Sequence, residues 1–215
     1  MKPRGKFITL EGPEGSGKST HARLLAARLR SAGQAVAVTR EPGGTPLGEK
    51  LRRLLQHDSA SEGMSAETET LLFMASRAEL VRQVIAPALA RGAWVVCDRF
   101  ADSTTAYQGY GRGINIKTIL TLNSLATGSL TPDLTILLDL TVKAGFARLH
   151  RRNQRVRAQK DRLEREALAF HERVRAGYRK LARRWPQRIK VINAARQVAA
   201  VQADIWRLTQ HVLRA

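Results

Sequence analysis

Gly12-Pro13-Glu14-Gly15-Ser16-Gly17-Lys18-Ser19, followed by Thr20, stands between the apolar run Phe7–Leu10 and a stretch of helical spacing from about Lys18 to Arg30. It satisfies G-x-x-x-x-G-K-[ST] in the context that gives the pattern meaning, strand before and helix after. The glycines let successive backbone N–H groups turn inward, and the helix N-terminus adds partial positive charge. Such a loop binds a nucleoside triphosphate. Lys18 is expected on the β and γ phosphates, and the Ser19 hydroxyl on Mg²⁺. The variable positions Pro13, Glu14, Gly15 and Ser16 include no base, so charge developing during phosphoryl transfer needs cations from elsewhere.

Outward from this loop, strand and helix patterns alternate. Strands are expected at Phe7–Leu10, Ala35–Thr39, Trp94–Cys97, Leu134–Leu140 and Arg188–Ile192. Helices are expected at Pro46–Gln56, Ala66–Ala90 with a kink or stop at Pro87, Ile116–Ala126, from Val142 onward, and Gln197–Leu213. Strands separated by helices imply an α/β fold of three layers, a parallel sheet of about five strands covered on both faces. Leu163, Ala167, Phe170, Val174, Tyr178, Leu181 and Trp185 repeat at steps of three and four, which predicts one continuous helix whose aromatics pack in the core.

The chain has 215 residues, enough for a single domain. Its 37 Lys+Arg against 18 Asp+Glu give +19, and its one cysteine excludes an intramolecular disulfide framework. No run approaches a membrane span and no signal segment opens the chain, so a cytoplasmic protein without a membrane partner is expected. The charge is uneven. Arg148–Lys190 holds 16 Lys or Arg against 4 Asp or Glu, a net +12. A basic face of this kind fits phosphate esters or a nucleic acid.

Trp94-Val95-Val96-Cys97-Asp98 is an apolar strand ending in a carboxylate, suited to holding Mg²⁺ opposite Ser19. Leu138-Asp139 is a rival for that role. The residue after Asp98 is Arg99, where a water-activating glutamate would mark an ATPase, and a cation there suits an anionic second substrate. No Asn-Lys-x-Asp pattern for reading guanine is present.

Five further stretches in order carry a resemblance across almost the whole chain: Thr39-Arg40-Glu41-Pro42-Gly43-Gly44-Thr45, Leu71-Leu72-Phe73-Met74-Ala75-Ser76-Arg77, Asp98-Arg99-Phe100, Ser103 to Gly113, and Asp161-Arg162-Leu163-Glu164. With the phosphate loop, they resemble the thymidylate kinases. The resemblance implies the P-loop nucleoside-monophosphate-kinase fold over residues 1–215, with a helical LID at about 149–160. It also implies transfer of the ATP γ-phosphoryl group to thymidylate with Mg²⁺, and a homodimer.

It assigns an acceptor site residue by residue. Phe73 stacks on thymine, Arg77 donates to its O4, and Gln108 faces N3. Arg99 binds the 5′-phosphate, while Tyr107 crowds the 2′ side of the sugar beside Ser103. Glu14, Glu41 and Pro42 lie at the sugar and phosphate. The resemblance also implies a catalytic arginine in the LID, with Arg152 and Arg157 the candidates beside Lys18 and Arg99. Two other readings stay open at this point, a thymidine kinase and a nucleic-acid-dependent ATPase using the basic helix.

Overall fold

The structure is a computed structural model and describes residues 4–156 and 160–213. Strands β1 (Phe7–Glu11), β2 (Val36–Arg40), β3 (Trp94–Asp98), β4 (Leu134–Asp139) and β5 (Ile189–Asn193) form one parallel sheet in the order β2-β3-β1-β4-β5. The central strand β1 is buried along its whole length, as a strand covered on both faces must be. The expected sheet is therefore present, with strand ends shifted by a residue. Chain connections leave β1 toward β3 and β2 on one side and reach β4 and β5 on the other. That switch opens a crevice at the carboxyl end of β1.

Helices α1 (Lys18–Ser31), α2 (Pro46–His57), α3 (Ala66–Leu80), α4 (Ala86–Ala90), α5 (Ala101–Thr104), α6 (Ile116–Thr127), α7 (Val142–Val156), α8 (Leu168–Arg184) and α9 (Val198–Leu213) cover the two faces. Caps explain several starts. Thr45, Ser65 and Asn115 each accept a backbone N–H of the first turn of α2, α3 and α6. α1 begins after Gly17 (φ 90°) with no side-chain cap, which leaves its N–H groups open.

Two expectations are corrected, and one element was not expected. Pro87 does not stop the helix: a π-helical segment, Val81–Ile85, joins α3 to α4 and loosens the ladder just before it, and the helix continues to Ala90. The apolar stripe is not one helix from Leu163. Asp161 Oδ1 accepts from the Glu164 N–H at 2.8 Å, and Arg162 is tied to the Gln56 and Leu55 carbonyls at 3.0 Å each. These bonds hold the segment as a turn against α2, and α8 starts only at Leu168. Leu163 still joins Phe170, Val174, Tyr178 and Leu181 in one core cluster. Finally, α5 and the π-helical segment Thr105–Gly111 form a helix with no counterpart in the sequence reading.

Candidate active site

The carboxyl ends of β1, β2 and β3 and the N-terminus of α1 meet in one cleft of about 640 Å³. On its phosphate-loop side lie Glu14, Gly15, Gly17, Lys18, Ser19 and Thr20. Gly12, Pro13 and Ser16 are buried beneath this surface and shape it. A side chain on Gly12 (φ 143°) would put Cβ 2.4 Å from the Leu138 carbonyl oxygen, so the loop requires glycine there. Lys18 Nζ donates to the Gly12 and Pro13 carbonyls at 3.1 and 2.9 Å. Burial, then the neighbouring Arg99, pushes its ammonium down to about 8.

Ser19 donates its hydroxyl proton to Asp98 Oδ2. The rival Asp139 instead receives Arg175 of α8 at 2.8 and 3.0 Å, a structural ion pair. Among the described residues no three His, Cys, Asp or Glu gather as a metal-holding group. One hydroxyl and one carboxylate fit Mg²⁺ that arrives on substrate phosphates and keeps most of its own waters.

Arg99 stands at the middle of the cleft with its backbone in the left-handed region (φ 71°). That is a costly conformation for a side chain and common at functional sites. Two bonds hold it: Arg99 N–H to the Leu10 carbonyl at 3.0 Å, and Phe100 N–H to Glu11 Oε1 at 2.7 Å. Its guanidinium pairs with Glu14 at 2.7 Å and donates to Tyr107, Ser103 and Tyr178 hydroxyls at 3.0, 3.2 and 3.2 Å. Burial alone would raise the Glu14 carboxyl, but Arg99 and Lys18 outweigh it and hold it down at about 2. Behind Arg99, the fully buried Glu11 accepts from Ser103 at 2.6 Å and Tyr178 at 2.9 Å. Burial and the nearby Asp102 push Glu11 up to about 7.

The far side of the cleft is lined by Glu41, Pro42, Phe73, Arg77, Ser103, Tyr107 and Gln108, so the residues assigned by resemblance do converge. Arg77 is 1% exposed and heavily bonded. It meets Glu41 in a bidentate pair (Nε to Oε1 3.1 Å, Nη2 to Oε2 2.5 Å) and donates to Asn123 (2.7 Å), Thr104 (2.9 Å) and the Phe100 carbonyl (3.2 Å). Its weakest partner is the Met74 sulfur, 3.5 Å from Nη1. Gln108 donates Nε2–H to Glu69 at 2.8 Å.

At the rim, Arg152 pairs with Glu164 at 3.1 Å, and Arg148 donates to the Ala194 carbonyl at 2.9 Å. Arg157 lies outside the described residues. Asp161 and Glu164 also line the cleft. Burial pushes both carboxyls up, reinforced by Glu14 for Asp161 and by Asp161 for Glu164.

A family model described as thymidylate kinase matches residues 10–205. The chain belongs to the thymidylate kinase family. It is 54% identical over 201 residues to the thymidylate kinase of Pseudomonas putida strain GB-1, covering 94% of this chain and 93% of that one. It is 52% identical over 203 residues to the Deinococcus radiodurans enzyme, covering 94% and 95%. The crystal structure of thymidylate kinase from Ehrlichia chaffeensis superposes with a TM-score of 0.76 at 35% identity, covering 97% of this chain and 99% of that one.

Several residues in or behind this kinase cleft are not marked by the sequence. Glu69 carries no local signal of a role there, Tyr178 reads only as core, and Asp161 and Glu164 read only as part of a motif. Glu11 had one available signal, an acid at the end of an apolar strand that leads straight into the phosphate loop.

Proposed function

We infer that the chain transfers the γ-phosphoryl group of ATP to the 5′-phosphate of thymidylate, releasing thymidine diphosphate and ADP. The observation that carries this reading is one cleft with a phosphate loop on one wall, Phe73, Arg77 and Gln108 on the other, and Arg99 between them. Two anionic phosphates must be brought together, so catalysis is chiefly positioning and charge neutralisation.

Lys18 leaves the loop carbonyls for the β and γ phosphates of ATP, which meet the open N–H groups of α1. Ser19 and Asp98 hold Mg²⁺, which neutralises phosphate charge when bound. Arg99 exchanges Glu14 for the acceptor phosphate, where a planar fork suits two phosphate oxygens. Phe73 stacks on thymine. Arg77 Nη1 turns from the Met74 sulfur, a weak acceptor, to the O4 carbonyl, while Glu41 keeps the guanidinium in plane. Gln108 meets N3, and Tyr107 crowds a 2′-hydroxyl. Arg152 supplies a rim cation from α7, the helix that leads into the LID segment.

A homodimer is supported by the exposed Leu47, Leu71 and Leu125 (48, 57 and 80% exposed), one on each of α2, α3 and α6. α3 packs against both of its neighbours.

A coupled ADP-release assay tests the reading. Thymidylate should drive turnover, while thymidine, DNA and RNA should not. Arg99→Ala should raise KM for thymidylate about tenfold or more, the loss of a charged hydrogen bond, with KM for ATP little changed. Turnover on thymidine but not thymidylate would overturn it.

A further inference from the structure

Glu69 lies inside α3 and is fully buried, where a carboxylate is costly unless its oxygens are paired. Its oxygens are paired. Oε1 accepts from Arg112 Nε at 3.1 Å and Gln108 Nε2 at 2.8 Å. Oε2 accepts from Arg112 Nη2 at 2.9 Å and stands 2.5 Å from Arg162 Nη2. Burial would raise this carboxyl, but Arg112 and Gln108 outweigh it and hold it below the ordinary carboxylate range, so it is ionised at neutral pH.

An ionised carboxylate only accepts hydrogen bonds. The two ends of a glutamine amide are nearly the same in shape and opposite in hydrogen-bonding sense. Glu69 therefore decides which end of Gln108 faces inward. The NH₂ group must turn to Glu69, and the carbonyl oxygen is left for the cleft that Gln108 lines.

We infer that Glu69 is a specificity-determining positioning residue, which fixes the Gln108 amide so that the cleft accepts a pyrimidine with a donor at N3 and rejects one with an acceptor there. The inference rests on the reading of Gln108 as the group that meets N3. Thymine and uracil carry N3–H, which the Gln108 oxygen accepts. Cytosine carries a lone pair at N3, so two acceptors would face each other and both would go unpaired beside the buried Gln108. Sites built on a buried polar group reject mismatched analogues strongly for this reason. Glu69 touches no substrate; it acts through Gln108.

The test is the ratio of kcat/KM for thymidylate to that for deoxycytidylate. In Glu69→Gln, the new amide keeps its carbonyl on Arg112 Nη2 and Arg162, gives up the Arg112 Nε bond and offers its NH₂ to Gln108, which then turns its own NH₂ toward the base. The ratio should fall at least about tenfold, the scale of one reversed buried hydrogen bond, and most of the fall should come from slower thymidylate turnover. Because Glu69 balances two arginines, the charge-matched double variant Glu69→Gln/Arg112→Gln is measured in parallel and should show the same fall. Arg112→Gln alone leaves the Glu69 carboxyl paired with Arg162 at 2.5 Å and still accepting from Gln108, and should keep the ratio.

A structural role alone would lower both acceptors by the same factor in every Glu69 variant. That outcome overturns the inference. Gln108→Leu separates the two levels: if it leaves the ratio unchanged, the reading of Gln108 fails and the inference with it. If it lowers the ratio while the Glu69 variants do not, only the inference fails.

Discussion

Lys18 is 7% exposed, and its ammonium is pushed down to about 8 by burial and by Arg99. Below that value it carries a full charge toward ATP phosphates, and above it the charge is lost. Affinity for ATP should therefore fall as pH rises through about 8, a limb visible in kcat/KM for ATP, which reports groups of the free enzyme. Arginine keeps its proton across this range, so Lys18→Arg should lack the limb at whatever rate it retains. A limb of the same position in that variant would assign it to another group.

Residues such as Lys18, Ser19, Asp98 and Arg99 were legible because their chemistry follows from local pattern, a loop between strand and helix or an acid at a strand end. Glu11, Glu69 and Tyr178 were not, since their partners are remote. Tyr178 reaches Glu11 across 167 positions and Gln108 reaches Glu69 across 39. Tyr178 also has two natures. Its ring belongs to the predicted core stripe, and its hydroxyl belongs to the Arg99 network.

At the scale of elements, α8 and the helix of residues 101–111 form the support beneath Arg99. They approach closely at small residues. A Cβ on Gly177 would fall 2.7–2.8 Å from the Tyr110 ring and its Cβ, and one on Gly111 would meet Phe170 and Val174 at 2.7 and 2.9 Å. Gly177→Ala should cost about 1–3 kcal/mol through overpacking, despite the better helix propensity of alanine. Thermal unfolding should show a drop of several degrees, and an unchanged or higher midpoint would contradict this packing.

The same helix gives the basic segment a structural account. Arg173 donates to the Gly111 carbonyl, Arg175 pairs with Asp139, and Arg188 pairs with Asp102. Lys180 and Arg184 lie over the Tyr110 and Trp185 rings. Much of the cationic excess in α8 and just beyond it thus anchors the helix. The periodicity of α8 was visible in sequence, but its start was not, because the Asp161–Glu164 turn competes locally with helix. The helix of residues 101–111 was invisible for a different reason. Its threonines and glycines are weak helix formers, and tertiary burial decides its conformation.

For the whole molecule, the alternation of strand and helix patterns was enough to read the parallel sheet, and the phosphate loop fixed which strand it follows. Strand order was not readable, since β1 reaches β3 only past the intervening β2. The exposed leucines of α2, α3 and α6 make a whole-molecule prediction. Sedimentation equilibrium should give a dimer, and Leu125→Glu should shift it toward monomer. A monomeric parent chain would remove the assignment.

One close approach has a consequence for how the enzyme handles its nucleotide. A Cβ on Gly15 would lie 2.2 Å from the Gly145 carbonyl oxygen, and one on Gly145 would lie 2.2 Å from that of Glu14. The phosphate loop and the root of α7 are therefore clasped backbone to backbone and must travel together. Arg148, tied to the Ala194 and Ala195 carbonyls, fastens the next turn. In the proposed reaction, a swing of Arg152 over the phosphates would have its fulcrum beyond these points, with the phosphate cradle itself as its fixed base.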